Sequence, residues 1–288
     1  MTTRAERAIV GLANCFGLAN GFRACLMRVA SLRRYPLKGF SSERLARVAL
    51  EKGGHFPSDR LFAIENGPSG YDPAAPSRQP KSKFLMLMRH EAIARMEALY
   101  EDASGMLTIS HEGETATGSP HSPEGRAIIE RFLEAHVPAA DRRGPLRLLA
   151  APDAFRFTDS GRGFVSILNL ASMADLEQRL GVPVDPLRFR ANIHLEGLDP
   201  WAEFALVGTV LEAPSGLALR ILSRIDRCAA IEVDPVAGAR DLPLVKTLMT
   251  AYGHVDCGVY AEIVAGGTLA EGHRLTERAT QPALRLGL

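Results

Sequence analysis

The chain has 288 residues, 46% of them hydrophobic, which is enough for one large or two small domains with a real core. Its 34 basic and 33 acidic side chains leave a net charge of +1, so no global field draws it to nucleic acid or a membrane surface. Any anion site must therefore be a local cluster.

Four cysteines (Cys15, Cys25, Cys228, Cys257) show no C-x-x-C pair and no dense even spacing, which argues against a secreted disulfide framework or a zinc site. Free thiols in a reducing cytoplasm are the expectation. No apolar run of eighteen or more residues lacks a charge, so no membrane span is expected.

In chain order, residues 1–26 mix arginines with an apolar run and a single acid, Glu6. This extension reads as an amphipathic helix, a weak targeting segment, or a stretch upstream of a true start at Met27. The last is favoured, because Met27 opens a natural first strand. "RVASLRRYPL" and "GHFPSDRLFAIENG" read as strands ending in turn residues, and the prolines and glycine of "PSGYDPAAPSRQPK" make a loop. After "KFLMLM" the pattern predicts a helix from about His90 to Tyr100, then the strand "MLTIS". A second helix is signalled by Ser122 as N-cap and Pro123 at the first helical position, with Ile128, Ile129, Phe132 and Leu133 on one face. A third begins near Ser172 and stops at Gly181. Beyond it, "FRANIHLEG", "EFALVGTVLEA", "LALRILSRI" and "GVYAEIVAGG" are strand-like. Their spacing predicts an antiparallel sheet closing on itself, a mainly β fold with attached helices, α+β in class.

Several chemistries lose their usual support. There is no G-x-G-x-x-G at a strand-to-helix junction, no P-loop, no G-x-S-x-G and no H-E-x-x-H, and the eight histidines are scattered. What remains is a set of basic residues near strand ends: Lys38, Arg60, Arg78, Arg188, Arg190 and Arg227. Each alone reads as a solvated charge. Brought together they would suit a polyanionic ligand, since guanidinium groups pair bidentately with phosphate and lysine adds a point charge. Cys228, directly after Arg227, reads from the residues alone as strand filler, a reactive thiol or a ligand.

The segments "RYPLKG", "SDRLFAIENG", "SRQP", "NLASMADLEQRLG", "VDPLRFRANI", "DPWAEF", "DRCAAIEVDPVAGARD" and "GVYAEIVAGGTLAEGHRL" occur in an order that resembles MOSC-domain proteins preceded by the MOSC N-terminal β-barrel domain. That family includes the C-terminal part of molybdenum-cofactor sulfurase and the amidoxime-reducing component. The resemblance implies an N-terminal β-barrel-like domain over 27–120, a β-barrel MOSC domain over 121–280 and a tail over 281–288. It further implies a molybdopterin-type molybdenum cofactor, with Cys228 as metal ligand and catalytic thiolate. Lys38, Arg60, Arg78, Arg188, Arg190, Asn192, Arg227 and Tyr260 would hold the pterin and its phosphate. Pyridoxal phosphate binding is a further property that the family's description carries.

Physical chemistry accords with this. A soft thiolate suits a high-valent metal with sulfur donors, and Asn192 can donate and accept along a pterin edge. The chain departs from the family pattern at Gly39, Asp226, Ile231 and Glu232. Glu232 either points into the site, where it would repel an anionic cofactor, or points outward along an alternating strand. Cys257 reads as a second thiol for sulfur transfer or as core, with core favoured.

Two functions follow. The first is a cytoplasmic molybdenum oxidoreductase that reduces N-hydroxylated small molecules. No cysteine-rich run follows residue 257, so no iron–sulfur cluster is expected in this chain and separate electron-transfer proteins would supply electrons. The second is a non-redox carrier of the cofactor or of sulfur, with Cys228 as a persulfide site.

Overall fold

A computed structural model describes residues 27–160 and 165–278, so the extension 1–26, its two cysteines and the tail 281–288 lie outside the described residues. The first half runs through β1 (Met27–Arg34), β2 (Glu43–Leu45), β3 (Arg47–Leu50), β4 (Phe62–Asn66), β5 (Glu97–Glu101), β6 (Met106–His111), β7 (Glu114–Gly118), α1 (Pro123–His136) and β8 (Leu146–Ala150). The second half runs through β9 (Val165–Asn169), α2 (Leu170–Leu180), β10 (Ile193–Glu196), β11 (Val210–Glu212), β12 (Ala218–Asp226), α3 (Leu244–Tyr252), β13 (Asp256–Ala265), β14 (Gly267–Ala270) and β15 (Arg274–Glu277).

Seven strands close a barrel in the order β1, β10, β9, β13, β12, β11, β15 and back to β1. Closure removes the unpaired edges that an open sheet would expose. One pair departs from the antiparallel expectation: β9 and β10 are parallel, because α2 carries the chain back over the sheet between them. Alternation then sorts the side chains. Val165, Ile167, Val259, Ala261 and Ile263 fill the barrel, which puts Ser166 and Tyr260 on its outer face, opposite one another in register. A bulge between Val29 and Ser31 shifts the phase of β1, so that Leu32 also faces inward.

Among the described residues, three further cores lie outside the barrel, the smallest of them Ala63, Phe84 and Phe157. Leu37, Phe62, Ile64 and Leu85 pack with β5–β7, α1 and β8 in one; Leu168, Met173, Phe189, Ile231 and Leu248 unite α2 and α3 in another. Several expectations are corrected here. The helix expected over His90–Tyr100 is a short 3-10 turn, Glu91–Arg95, followed by β5. Pairing of Ala98 with Ile109 and Tyr100 with Leu107 overrides the helix propensity of Ala, Glu and Leu. "GHFPSDRLFAIENG" is strand only from Phe62, because Ser58 and Arg60 sit at φ of 54° and 49°, in the left-handed region. "EFAL" forms part of a 3-10 turn, Ala202–Leu206, ahead of β11. Helix α2 is capped by Asn169, whose Oδ1 accepts the Ala171 N–H at 3.1 Å, so it begins before Ser172. Its stop at Gly181, with φ of 71°, is as expected. The α3 helix had no counterpart among the expected elements.

Helix α1 starts as expected: Ser122 Oγ accepts the Gly125 N–H at 3.0 Å, with Pro123 next. Ile129 and Leu133 are buried, but Ile128 is 38% exposed, because only the side of α1 that meets β7 and β8 is covered. Ser122→Ala is expected to cost about 1 kcal/mol in urea unfolding, the usual worth of an N-cap hydroxyl. An unchanged midpoint would mean that Pro123 and packing alone fix this end.

Among the described residues, no helix is long and apolar enough to cross a membrane.

Candidate functional site

A cleft of about 380 Å³ opens where the outer face of the barrel meets the first-half core. This lies within the range of about 300–1,000 Å³ typical of small-molecule sites. Ser166 from β9, Tyr260 from β13 and Ile225–Cys228 at the end of β12 form one wall. Lys38, Arg60, Met86 and Leu87 form the other.

Of the residues expected at the site, Lys38, Arg60, Arg78, Arg188, Arg190, Arg227, Cys228 and Tyr260 all line this cleft. Their charges are not equally available. Lys38 Nζ donates to Asp159 Oδ1 at 2.6 Å and to the Phe157 carbonyl at 3.1 Å. Burial lowers the Lys38 pKa while Asp159 opposes the shift. Arg60 pairs with Asp59 and donates to the Arg190 carbonyl at 2.9 Å. Arg188 is 3% exposed and gripped by Asp241 at 2.7 Å and Asp234 at 2.6 Å. Its charge is spent on holding the 229–241 segment. Arg78 is exposed at the rim.

Arg190 and Arg227 are different, since they donate to backbone carbonyls rather than to carboxylates. Arg190 Nη1 donates to the Phe40 carbonyl at 2.6 Å; Arg227 donates through Nε to the Cys257 carbonyl and through Nη1 to the Phe189 carbonyl, both at 2.7 Å. The Nη2 atom of each is buried and has no hydrogen-bond partner in the protein. Burial, and then Arg60, push the Arg190 guanidinium down to about 10, which leaves it charged at neutral pH. Burial also lowers Arg227. A buried charged donor without a partner costs free energy, so these two, on arginines that no carboxylate bonds, favour an anionic ligand; Arg188 Nε is also unpartnered, but its guanidinium is held by Asp234 and Asp241. The backbone concurs: Arg60 and Arg190 both sit at positive φ, 49° and 52°, and such strain gathers at binding sites.

Sequence reasoning did not single out Tyr35, whose ring meets both guanidinium groups, with Arg60 4.6 Å and Arg190 4.3 Å from its centroid. These cation–π contacts help to hold two like charges close together. Its only sequence signal was its place in "RYPLKG". Asp159, 121 residues from Lys38, had none.

Cys228 is half-buried and caps a 3-10 turn, Ala229–Glu232, so neither it nor Glu232 lies in a strand. Glu232 turns away from the cleft. Its Oε1 accepts the Val245 N–H at 3.3 Å at the start of α3, and Oε2 is 4.0 Å from Arg240, so the carboxylate serves a helix N-terminus. Asp226 does line the cleft. Asn192 does not: Oδ1 accepts from Ser166 N at 3.1 Å and Oγ at 2.8 Å, and Nδ2 donates to the Arg33 carbonyl at 3.2 Å. Its carboxamide fixes Ser166 rather than meeting a ligand. Cys257 is fully buried, and burial pushes its thiol up to about 12 against the pull of Arg227, so it is core.

A family model described as the MOSC domain matches residues 155–276, and one described as the MOSC N-terminal beta barrel domain matches residues 26–139. The chain is similar to a molybdenum cofactor sulfurase of Caenorhabditis elegans, 24% identical over 241 residues. That alignment covers 76% of this chain but only 31% of the relative, so the chain spans less than half of that protein's length. Among solved structures it is similar to the YuaD protein of Bacillus subtilis, with a TM-score of 0.42, 13% identity and coverage of 88% of this chain and 97% of that one. It is also similar to YiiM of Geobacillus stearothermophilus, with a TM-score of 0.32, 19% identity and coverage of 40% and 53%.

Proposed function

This chain is a MOSC-domain protein whose MOSC domain follows a MOSC N-terminal beta barrel domain, and from that premise we propose that its cleft binds a pterin-type molybdenum cofactor. In this reading Cys228 is the protein's thiolate ligand to the metal, and the loaded protein is an oxidoreductase for N-hydroxylated small molecules. Separate electron-transfer proteins in a reducing cytoplasm would supply its electrons.

The observation that carries the reading is the pair of buried, unpartnered Nη2 atoms on Arg190 and Arg227, in one cleft with a half-buried thiol. The residues fit the group. Arg190 and Arg227, with Lys38 beside them, would hold its phosphate by charge-assisted hydrogen bonds. Cys228 offers the soft donor that such a metal takes. Tyr260 contributes its phenol from the barrel wall, whereas the Ser166 hydroxyl is taken up by Asn192. When bound, the cofactor would supply redox chemistry at the metal, and the protein supplies orientation and electrostatics. Asp226 is the carboxylate on this wall, directly before Arg227 in the chain.

A second reading is favoured by the name of the sulfurase relative: a non-redox carrier in which Cys228 holds a persulfide. One experiment separates the two. Protein is purified from a host that makes the cofactor, wild type beside Cys228→Ala, and molybdenum and pterin are counted. About one molybdenum per chain in the wild type, falling at least roughly tenfold in the variant, is the expected result. Wild-type protein without metal or pterin, but with one added sulfur on Cys228 by mass spectrometry, overturns the oxidoreductase reading in favour of the carrier.

A further inference from the structure

We propose that a second cavity, contiguous with the cleft, is the seat for the body of the substrate and selects anionic arenes; the substrate role rests on the oxidoreductase reading above. This cavity has a volume of about 710 Å³ and shares Lys38, Lys81, Met86, Met88 and Phe157 with the cleft. A molecule lying in it therefore reaches the wall of the cleft that Lys38 and Met86 form, across from the wall that Cys228 lines.

Its walls and rim differ in chemistry. Phe84, Phe155 and Phe157 form a locked aromatic wall: Phe84 and Phe157 meet edge to face with centroids 5.7 Å apart, and Phe155 and Phe157 with centroids 5.3 Å apart. Phe84 and Phe157 are packed to 3% and 4% exposure, so the rings form a rigid apolar floor, with Phe155 the more open of the three. The thioethers of Met86 and Met88 add polarisable, adaptable contacts. At the rim stand Arg78, Lys81 and Arg89. The carboxylate lining this cavity, Asp159, is held by Lys38 at 2.6 Å and also feels the charge of Lys81, which leaves Arg78 and Arg89 as the rim cations it does not offset. Arg89 is exposed and lines this cavity but not the cleft.

That layout reads a planar apolar body by its faces and an anionic group by its outer end. A carboxylate, sulfonate or phosphate on an aromatic ring satisfies both. A cationic arene meets like charge, and a neutral one gains only the apolar part. With the anion at Arg89, the rim cation that does not line the cleft, the opposite end of the molecule points toward the cleft. Arg89 is distinct from the cleft's cations, so an anion held there does not compete for the cofactor's phosphate.

The protein as purified from the cofactor-producing host is titrated by calorimetry with naphthoate and with naphthalenemethanol. The same sample is assayed for molybdenum, pterin and any nucleotide released on denaturation. Naphthoate is expected to bind roughly tenfold more tightly than the alcohol at low salt, the preference shrinking as salt screens the exposed rim. In a Lys81→Gln, Arg89→Gln double variant the preference should fall to within about threefold, with affinity for the alcohol unchanged. Equal binding of the two probes by wild type, or a preference that survives in the double variant, overturns the proposal. A nucleotide released in step with pterin also overturns it, by assigning the cavity to an extension of the cofactor. Counting the cofactor in the same sample keeps the two readings apart. Metal-free protein that still prefers naphthoate sinks the molybdenum reading and leaves an anionic-arene site, whereas loaded protein without the preference sinks this inference alone.

Discussion

Replacing Arg188 by methionine is expected to destabilise the protein by about 3 kcal/mol and to strip the cleft of bound pterin. The guanidinium is 3% exposed and makes four bonds: two to Asp241 at 2.7 Å, one to Asp234 at 2.6 Å and one to the Glu232 carbonyl at 3.1 Å. Methionine fills much of the space but leaves two carboxylates facing each other without their cation. Asp234 is 23% and Asp241 44% exposed, so both can regain some water. That relief places the cost at the lower end of the range of about 3–5 kcal/mol for a broken buried pair. The 229–241 segment would loosen, and with it the turn that Cys228 caps. Lysine at this position restores charge but not the fork, so Arg188→Lys should recover less than half of the loss.

The same cluster sets an acid limit. Burial pushes the Asp234 carboxyl up, but the N–H groups of Ala237 and Val236 and the Arg188 guanidinium outweigh it and hold the pKa below the usual carboxylate range. The folded state therefore binds its proton less readily than the unfolded chain. The stabilisation is fully present above the ordinary carboxylate pKa of about 4 and fades as pH falls through the folded value. Urea midpoints of wild type and Arg188→Met between neutral and acid pH test both points. The variant should start lower and lose less on acidification. Parallel curves would show that Arg188 does not set the titration of Asp234.

What could be read from the sequence, and what could not, divides along one physical line. Local signals worked: Ser122 and Pro123 start a helix, Gly181 stops one, and strand-sized apolar runs between turns add up to a barrel. Each depends on residues a few positions apart. Failures came where a distant partner decides. Residues 97–101 have helix formers, yet β6 takes them as a strand. Arg188 and Arg190 sit two apart in "RFRAN" and look equivalent. One is neutralised by Asp234 and Asp241, some 46 and 53 positions on, while the other meets the Phe40 carbonyl 150 positions back. Asn192 looked like a ligand to the pterin and is instead the bracket that holds Ser166. Even Glu232, an acid four residues after Cys228, is removed from the cleft by one 3-10 turn and the unforeseen α3.

Gly258→Ala is expected to be more damaging than its single methyl suggests, at about 4 kcal/mol, and to abolish cofactor retention. Gly258 lies in β13 with φ of 78°, where an L side chain already costs about 1–2 kcal/mol. An added Cβ would stand 2.5 Å from the Ile167 carbonyl oxygen on the neighbouring barrel strand, a backbone atom with no rotamer to escape into. It would also stand 3.1 Å from Arg227 Nη2, the guanidinium nitrogen left free for a ligand. Moving that nitrogen strains the bonds from the same guanidinium to the Cys257 and Phe189 carbonyls, both at 2.7 Å. A control separates strain from contact. Gly253 has φ of 75° but no atom within 4 Å of its would-be Cβ, so Gly253→Ala should cost only the conformational part, about 1–2 kcal/mol. Urea unfolding of both variants, with pterin content alongside, makes the comparison. A Gly258→Ala variant no worse than Gly253→Ala would mean that β9 yields and the approach to Arg227 is loose. A larger loss, with pterin gone, would mean that glycine is required here because the barrel wall and the anion-facing arginine meet at this residue.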